Sequence, residues 1–215
     1  MRFGTATRRL SALPAPLPEG PAELMPVFTD GQLRPRLQPS PTARPAAVLV
    51  LLFPDREGEA RLVLTERVSY DGYHSGEVSF PGGKAEPGDA DSAATALREA
   101  AEEVGLDEAT ADVRVVGTLG EVFIPVSDFR ITPVVALARG DVVLAPSETE
   151  VARILVPTVD AFLPGAPIEM VERTIGDWPL RYGGYRIEGL HVWGATARIL
   201  GQLGAVLAVQ SLTGD

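Results

Sequence analysis

Eight consecutive apolar residues, Ala46 to Phe53 (AAVLVLLF), stand between Pro45 and Pro54. A continuous apolar run of strand length predicts a central strand buried on both faces. Arg61 to Thr65 is expected as its hairpin partner across the turn PDREGE. Val113 to Leu119 and Arg130 to Leu137 also read as strands, the latter carrying Pro133 near its start. The tail HVWGATARILGQLGAVLAV is apolar, but Arg198, Gln202 and two internal glycines in a run near the minimum spanning length favour a core helix over a membrane span.

A second stretch brings chemistry. From Gly82 to Leu106 the chain reads GGKAEPGDADSAATALREAAEEVGL, joining a glycine pair to a short helix. Asp91 or Ser92 is placed to cap the helix, and Gly105 suits the left-handed residue that ends it. Ala94, Leu97, Ala101 and Val104 form the expected buried stripe. Glu99, Glu102 and Glu103 stand at i, i+3 and i+4, so their carboxylates are expected on one face. Like charges gathered in this way call for water or a cation, and hard oxygen ligands suit magnesium or manganese. Arg98, one turn before Glu102, is placed to orient it by a charge-assisted hydrogen bond.

Composition narrows the class. A net charge of -10 argues against nucleic-acid and anionic-membrane partners, because neither attracts an acidic surface. With no cysteine there is no thiol nucleophile and no thiolate metal site. The first twenty residues hold no apolar run long enough for a secretory signal, which leaves a cytoplasmic setting as the expectation. Residues 1–45 are proline-rich and read as an extension leading into or wrapping a domain over 46–215. Residues 164–190 are turn-rich and carry Trp178, Tyr182 and Tyr185, as in a hairpin that covers a site.

REAAEEVGL downstream of GG resembles the signature helix of the Nudix hydrolases. LTERVSYDGYHSGEVSFPGG, from Leu64 to Gly83, is similar to the motif preceding that helix in the coenzyme A pyrophosphatase subfamily, with Leu64, Thr65, Arg67, Gly76, Phe80, Pro81, Gly82 and Gly83 matching. Val68 and Gly72 depart from it, the latter where the pattern has an arginine. Trp193 to Arg198 resembles the Trp-Gly-x-Thr-Ala-Arg helix of the same subfamily.

The resemblance implies an α/β fold, an α/β/α sandwich with a mixed β-sheet, and metal-dependent hydrolysis of coenzyme A to 4'-phosphopantetheine and 3',5'-ADP. It implies Mg2+ or Mn2+ held by Glu99, Glu103, Glu102 and the Gly83 carbonyl. Glu102 and Glu150 are the candidate bases, and Arg98 organises the carboxylates. Arg67 is the expected phosphate ligand, with Glu77 and His74 as further substrate-side candidates. An ADP-ribose or nucleotide-sugar pyrophosphatase is the rival enzyme, and a non-catalytic nucleotide-binding Nudix sensor is the rival from another class. The expected partner is a small-molecule diphosphate.

Overall fold

In the computed structural model, which describes residues 1–33, 38–68, 77–175 and 178–209, the apolar run lies in the middle of a strand at Arg44–Pro54. In chain order the elements are α1 (Phe3–Leu10), β1 (Val27–Phe28), β2 (Arg44–Pro54), β3 (Ala60–Leu62), β4 (Leu64–Arg67), β5 (Val78–Ser79), β6 (Gly82–Lys84) and α2 (Ser92–Val104). They continue with β7 (Val113–Thr118), β8 (Val122–Ile124), β9 (Phe129–Ala138), β10 (Val151–Leu155), β11 (Glu169–Ile175), β12 (Trp178–Ile187), β13 (Leu190–Val192) and α3 (Gly194–Ala208).

β2 is central because both of its faces are covered. Ala47, Leu49 and Leu51 join the apolar layer under α2, while Val50 and Leu52 join the layer under α3. Alternation of side chains along a strand divides the run between two cores. β9 runs parallel to β2, from Phe129 opposite Arg44 to Leu137 opposite Leu52, while β3, β6, β7 and β8 pair antiparallel to one or other of them. The result is an α/β sandwich built on a mixed sheet.

The expected hairpin partner is divided. Val63 separates β3, which pairs with β2, from β4, which pairs with β10 and β5 in a second sheet. Side chains keep alternating through this point, Leu62 and Leu64 in one layer and Val63 in the layer under α2, while the pairing partner changes from β2 to β10 and β5. The 164–190 stretch forms the antiparallel β11–β12 pair, with β1 from the N-terminal region along the other edge of β12. Within residues 1–45, α1 buries Ala6 and Leu10, and Leu24 reaches the same core. Among the described residues no helix is long and apolar enough to cross a membrane.

Candidate active site

α2 begins where the Asp91 side chain accepts a hydrogen bond from the Ala94 amide at 2.9 Å, and it ends at Gly105 with φ 65°. Its buried face differs from the expected stripe. Thr95, Ala96, Ala100, Glu103 and Val104 are buried, whereas Ala101 is exposed. Glu102 and Glu103 are about 100° apart around a helix, so they cannot share one environment. The three carboxylates are accordingly graded by position: the side chain of Glu102 is 60% exposed, that of Glu99 14% and that of Glu103 4%.

Arg98 organises the outer part of this array. It donates to Asp89 at 3.1 and 3.2 Å, to Glu102 Oε2 at 3.1 Å and to the Lys84 carbonyl at 3.1 Å, and it lies 3.0 Å from Glu99 Oε1. Such charge-assisted contacts hold the Asp89 carboxyl well below the usual range, with Arg98 the largest cause. Glu99 moves the other way, because burial outweighs its contact with Arg98.

Glu103 is the deepest acid. Its Oε2 accepts from the Gly82 amide at 3.1 Å, and Oε1 stands 3.8 Å from Arg67. Burial nevertheless pushes its pKa up to about 7, with Glu99 and Glu150 adding repulsion. The glycine pair makes this approach possible. A Cβ on Gly82 would come 2.4 Å from the Ala47 carbonyl oxygen, and one on Gly83 would come 2.5 Å from the Glu99 carboxylate. Glu150 is brought in by backbone ties: the Ser147 amide bonds the Glu103 carbonyl at 2.8 Å, and the Val68 amide bonds the Glu150 carbonyl at 3.1 Å.

Glu99, Glu103, Glu150, Gly83, Arg67 and Glu77 all line one cavity of about 850 Å3. Arg98 and Glu102 lie outside its lining, in the support behind Glu99. His74 and Gly72 fall outside the described residues. The buried Arg67 Nε has no hydrogen-bond partner among the described residues, so this guanidinium retains donor capacity beside the carboxylates. Sequence reasoning missed Lys84, Leu24 and Pro26 as lining residues. Lys84 follows the glycine pair directly and is a legible signal, whereas Leu24 and Pro26 arrive through the β1–β12 pairing, which no local pattern announces.

These residues suit a divalent cation by their chemistry. One buried and one half-buried carboxylate, both with raised pKa values, and a third nearby form a hard-oxygen set whose negative charge is only partly relieved. Among the described residues no three acidic or histidine side chains converge as a finished cage. Backbone oxygen and the ligand's own phosphates are then the natural remaining donors.

Residues 43–172 match the NUDIX domain family. The chain is 38% identical over 161 residues to the mitochondrial Nudix hydrolase 15 of Arabidopsis thaliana, covering 72% of this chain and 55% of that protein. The chain thus spans about half the length of this relative. To the Nudix hydrolase NudL of Shigella flexneri serotype 5b it is 35% identical over 186 residues, 83% of this chain and 91% of the other. Among solved structures, the Nudix hydrolase RenU of M. smegmatis superposes with a TM-score of 0.46 at 25% identity, covering 55% of this chain and 73% of that one. The matched residues include the glycine pair and the Arg98-braced acidic helix, and the chain belongs to the Nudix family.

Proposed function

We propose that this protein hydrolyses the diphosphate bond of coenzyme A in the presence of Mg2+ or Mn2+, giving 4'-phosphopantetheine and 3',5'-ADP. One observation carries the reading. The two stretches outside the acidic helix that resemble the coenzyme A subfamily, Leu64–Gly83 and Trp193–Arg198, supply residues to the same cavity as Glu99 and Glu103.

Glu99, Glu103 and the Gly83 carbonyl are the residues that would hold the cation. A divalent ion there supplies charge neutralisation for the phosphates and acidifies water. Arg67 binds a phosphate oxygen, its fork matching phosphate geometry. Glu150, at the cavity and not engaged by Arg98, is favoured over Glu102 as the base, because Glu102 is committed to Arg98 on the exposed side. It accepts the proton of the attacking water as the new P–O bond forms and the bridging P–O bond breaks, and the bridging oxygen leaves with the second phosphate. Arg98 acts through the carboxylates it fixes.

The test is incubation with CoA and either metal ion, followed by chromatography of the products. Appearance of 4'-phosphopantetheine and 3',5'-ADP is expected. CoA left intact while ADP-ribose or a nucleotide sugar is cleaved would overturn the choice of substrate.

A further inference from the structure

Another part of the cavity is built around the start of α3. Trp193 occupies the N-cap position, its indole can only donate, and no side chain caps the helix. Thr196, the hydroxyl of the first turn, is engaged elsewhere, donating to the Val78 carbonyl at 3.0 Å. First-turn amides find no acceptor within their own helix, and Gly194, Ala195 and Thr196 all line the cavity. Gly194 has φ 65°, and nothing lies within 4 Å of where its Cβ would stand, so the approach is open.

A second group marks the same place. Tyr182 is 2% exposed, yet its hydroxyl has no partner among the described residues. Its ring stacks on Trp193 at 4.9 Å with 27° between planes, and both residues line the cavity. Burial, opposed by Arg173 and reinforced by Glu77, raises its pKa, so it offers a proton at neutral pH. A buried hydroxyl without an acceptor is costly unless a ligand supplies one. Arg198, within the second turn of α3, lines the cavity as well. Glu77 does too and opposes an anion there; Arg198 and the positive end of the helix act against it.

We propose that this part of the cavity is a second anion subsite, made by the first-turn amides of α3, the Tyr182 hydroxyl and Arg198, and that it takes a phosphomonoester carried by the substrate apart from its diphosphate. Scale supports the division. Val78, bonded to Thr196, and Gly82, bonded to Glu103, are four residues apart across the bend at Pro81, a separation of at most roughly 13 Å. A nucleoside phosphorylated at two ribose positions can address both ends, whereas ADP-ribose has no phosphomonoester to place there. The subsite rests on the coenzyme A reading, since the nucleotide of CoA carries such a 3'-phosphate.

Calorimetry with adenosine 3',5'-bisphosphate and with AMP, without divalent cation, tests it. The native protein is expected to bind the bisphosphate about 10-fold more tightly, as hydrogen bonds to a charged group would give. Tyr182→Phe removes only the hydroxyl and should lower bisphosphate affinity about 5-fold or more while leaving AMP unchanged. Gly194→Asp puts a carboxylate before the amides, at a left-handed φ of 65° that aspartate adopts more readily than most side chains, and should abolish the preference while the variant still melts cooperatively. Equal affinity of the native protein for both nucleotides overturns the subsite, as do variants that weaken both alike. Should Tyr182→Phe fail to melt cooperatively, the native comparison and Gly194→Asp decide. Hydrolysis of CoA against 3'-dephospho-CoA separates the two readings. If neither is cleaved but the bisphosphate preference holds, only the reaction falls; if both are cleaved with equal kcat/KM and no preference exists, only the subsite falls.

Discussion

Glu103→Gln should make the protein more stable and far less active, with a stability gain that depends on pH. Glu103 is almost fully buried, and burial with two neighbouring acids raises its pKa from an ordinary 4.5 to about 7. A raised carboxylate imposes no cost below the unfolded value, a growing cost as pH rises from about 4.5 to 7, and a constant one above that. At roughly 1.4 kcal/mol per pH unit the plateau is about 3 kcal/mol. Glutamine carries no charge at any of these pH values, and its carbonyl oxygen can still accept from the Gly82 amide. For a chain of this length each kcal/mol moves Tm by roughly 2–4 °C, so the variant should melt about 6–12 °C above the native protein at pH 8 and close to it at pH 4.5. Scanning calorimetry in chelator across that range is the assay. Added Mg2+ should raise the native Tm and reduce the difference. Turnover should fall roughly 100- to 1,000-fold, as when one electrostatic contact to developing charge is lost. A variant less stable than the native protein at pH 8, or a difference that does not change with pH, would show that Arg67 and the Gly82 amide already neutralise this carboxylate.

Four other outcomes follow from single contacts. Arg98→Ala leaves Asp89, Glu99 and Glu102 without their shared cation; allowing for its partial exposure, urea denaturation should show a loss of about 2 kcal/mol, and a loss below about 0.5 kcal/mol would mean water replaces it. Gly83→Ala drives a Cβ into the flexible Glu99 carboxylate, so turnover should fall about 10-fold or more while Tm stays nearly unchanged; a large loss of Tm would contradict this. Gly204→Ala would normally favour a helix, but its Cβ would lie 1.8 Å from the Phe162 carbonyl oxygen; a destabilisation of about 3 kcal/mol is expected, and any gain in Tm refutes the contact. Burial pushes the Tyr185 hydroxyl up to about 12, so its stability contribution is whole below pH 10 and lost between 10 and 12. Tyr185→Phe should flatten the fall in stability there, and a titration near 295 nm should lack its late phase.

What was legible in the chain depended on how local its cause was. The strand at Arg44–Pro54 needed only an apolar run, and the ends of α2 needed only Asp91 and Gly105. Parallel pairing of β2 with β9 joins residues some 85 positions apart, and no turn between them announces it. α1 was hidden for a related reason: FGTATRRL offers one narrow apolar edge, and it becomes a helix face only when Ala6 and Leu10 have a core to enter. Leu24 and Pro26 became cavity residues through the same kind of distant pairing.

The acidic helix shows why periodicity can gather three carboxylates on a helix without telling which of them is buried. Spacing alone treats Glu99, Glu102 and Glu103 as equivalents, because it records angle around a helix and nothing of what stands opposite. The packing of Ala96, Ala100 and Val104 against β2 and β9 sets the helix's rotation, and that rotation carries Glu103 inward and Glu102 outward. Once Glu103 is inside, the close approach of Gly82 supplies it with an amide donor, and a side chain on that glycine would collide with the backbone of β2. The glycine pair and the buried acid are therefore one feature. Moving the helix by a single position would expose Glu103 to water, return its pKa toward the ordinary range, and remove the charge imbalance that makes a divalent cation fit here.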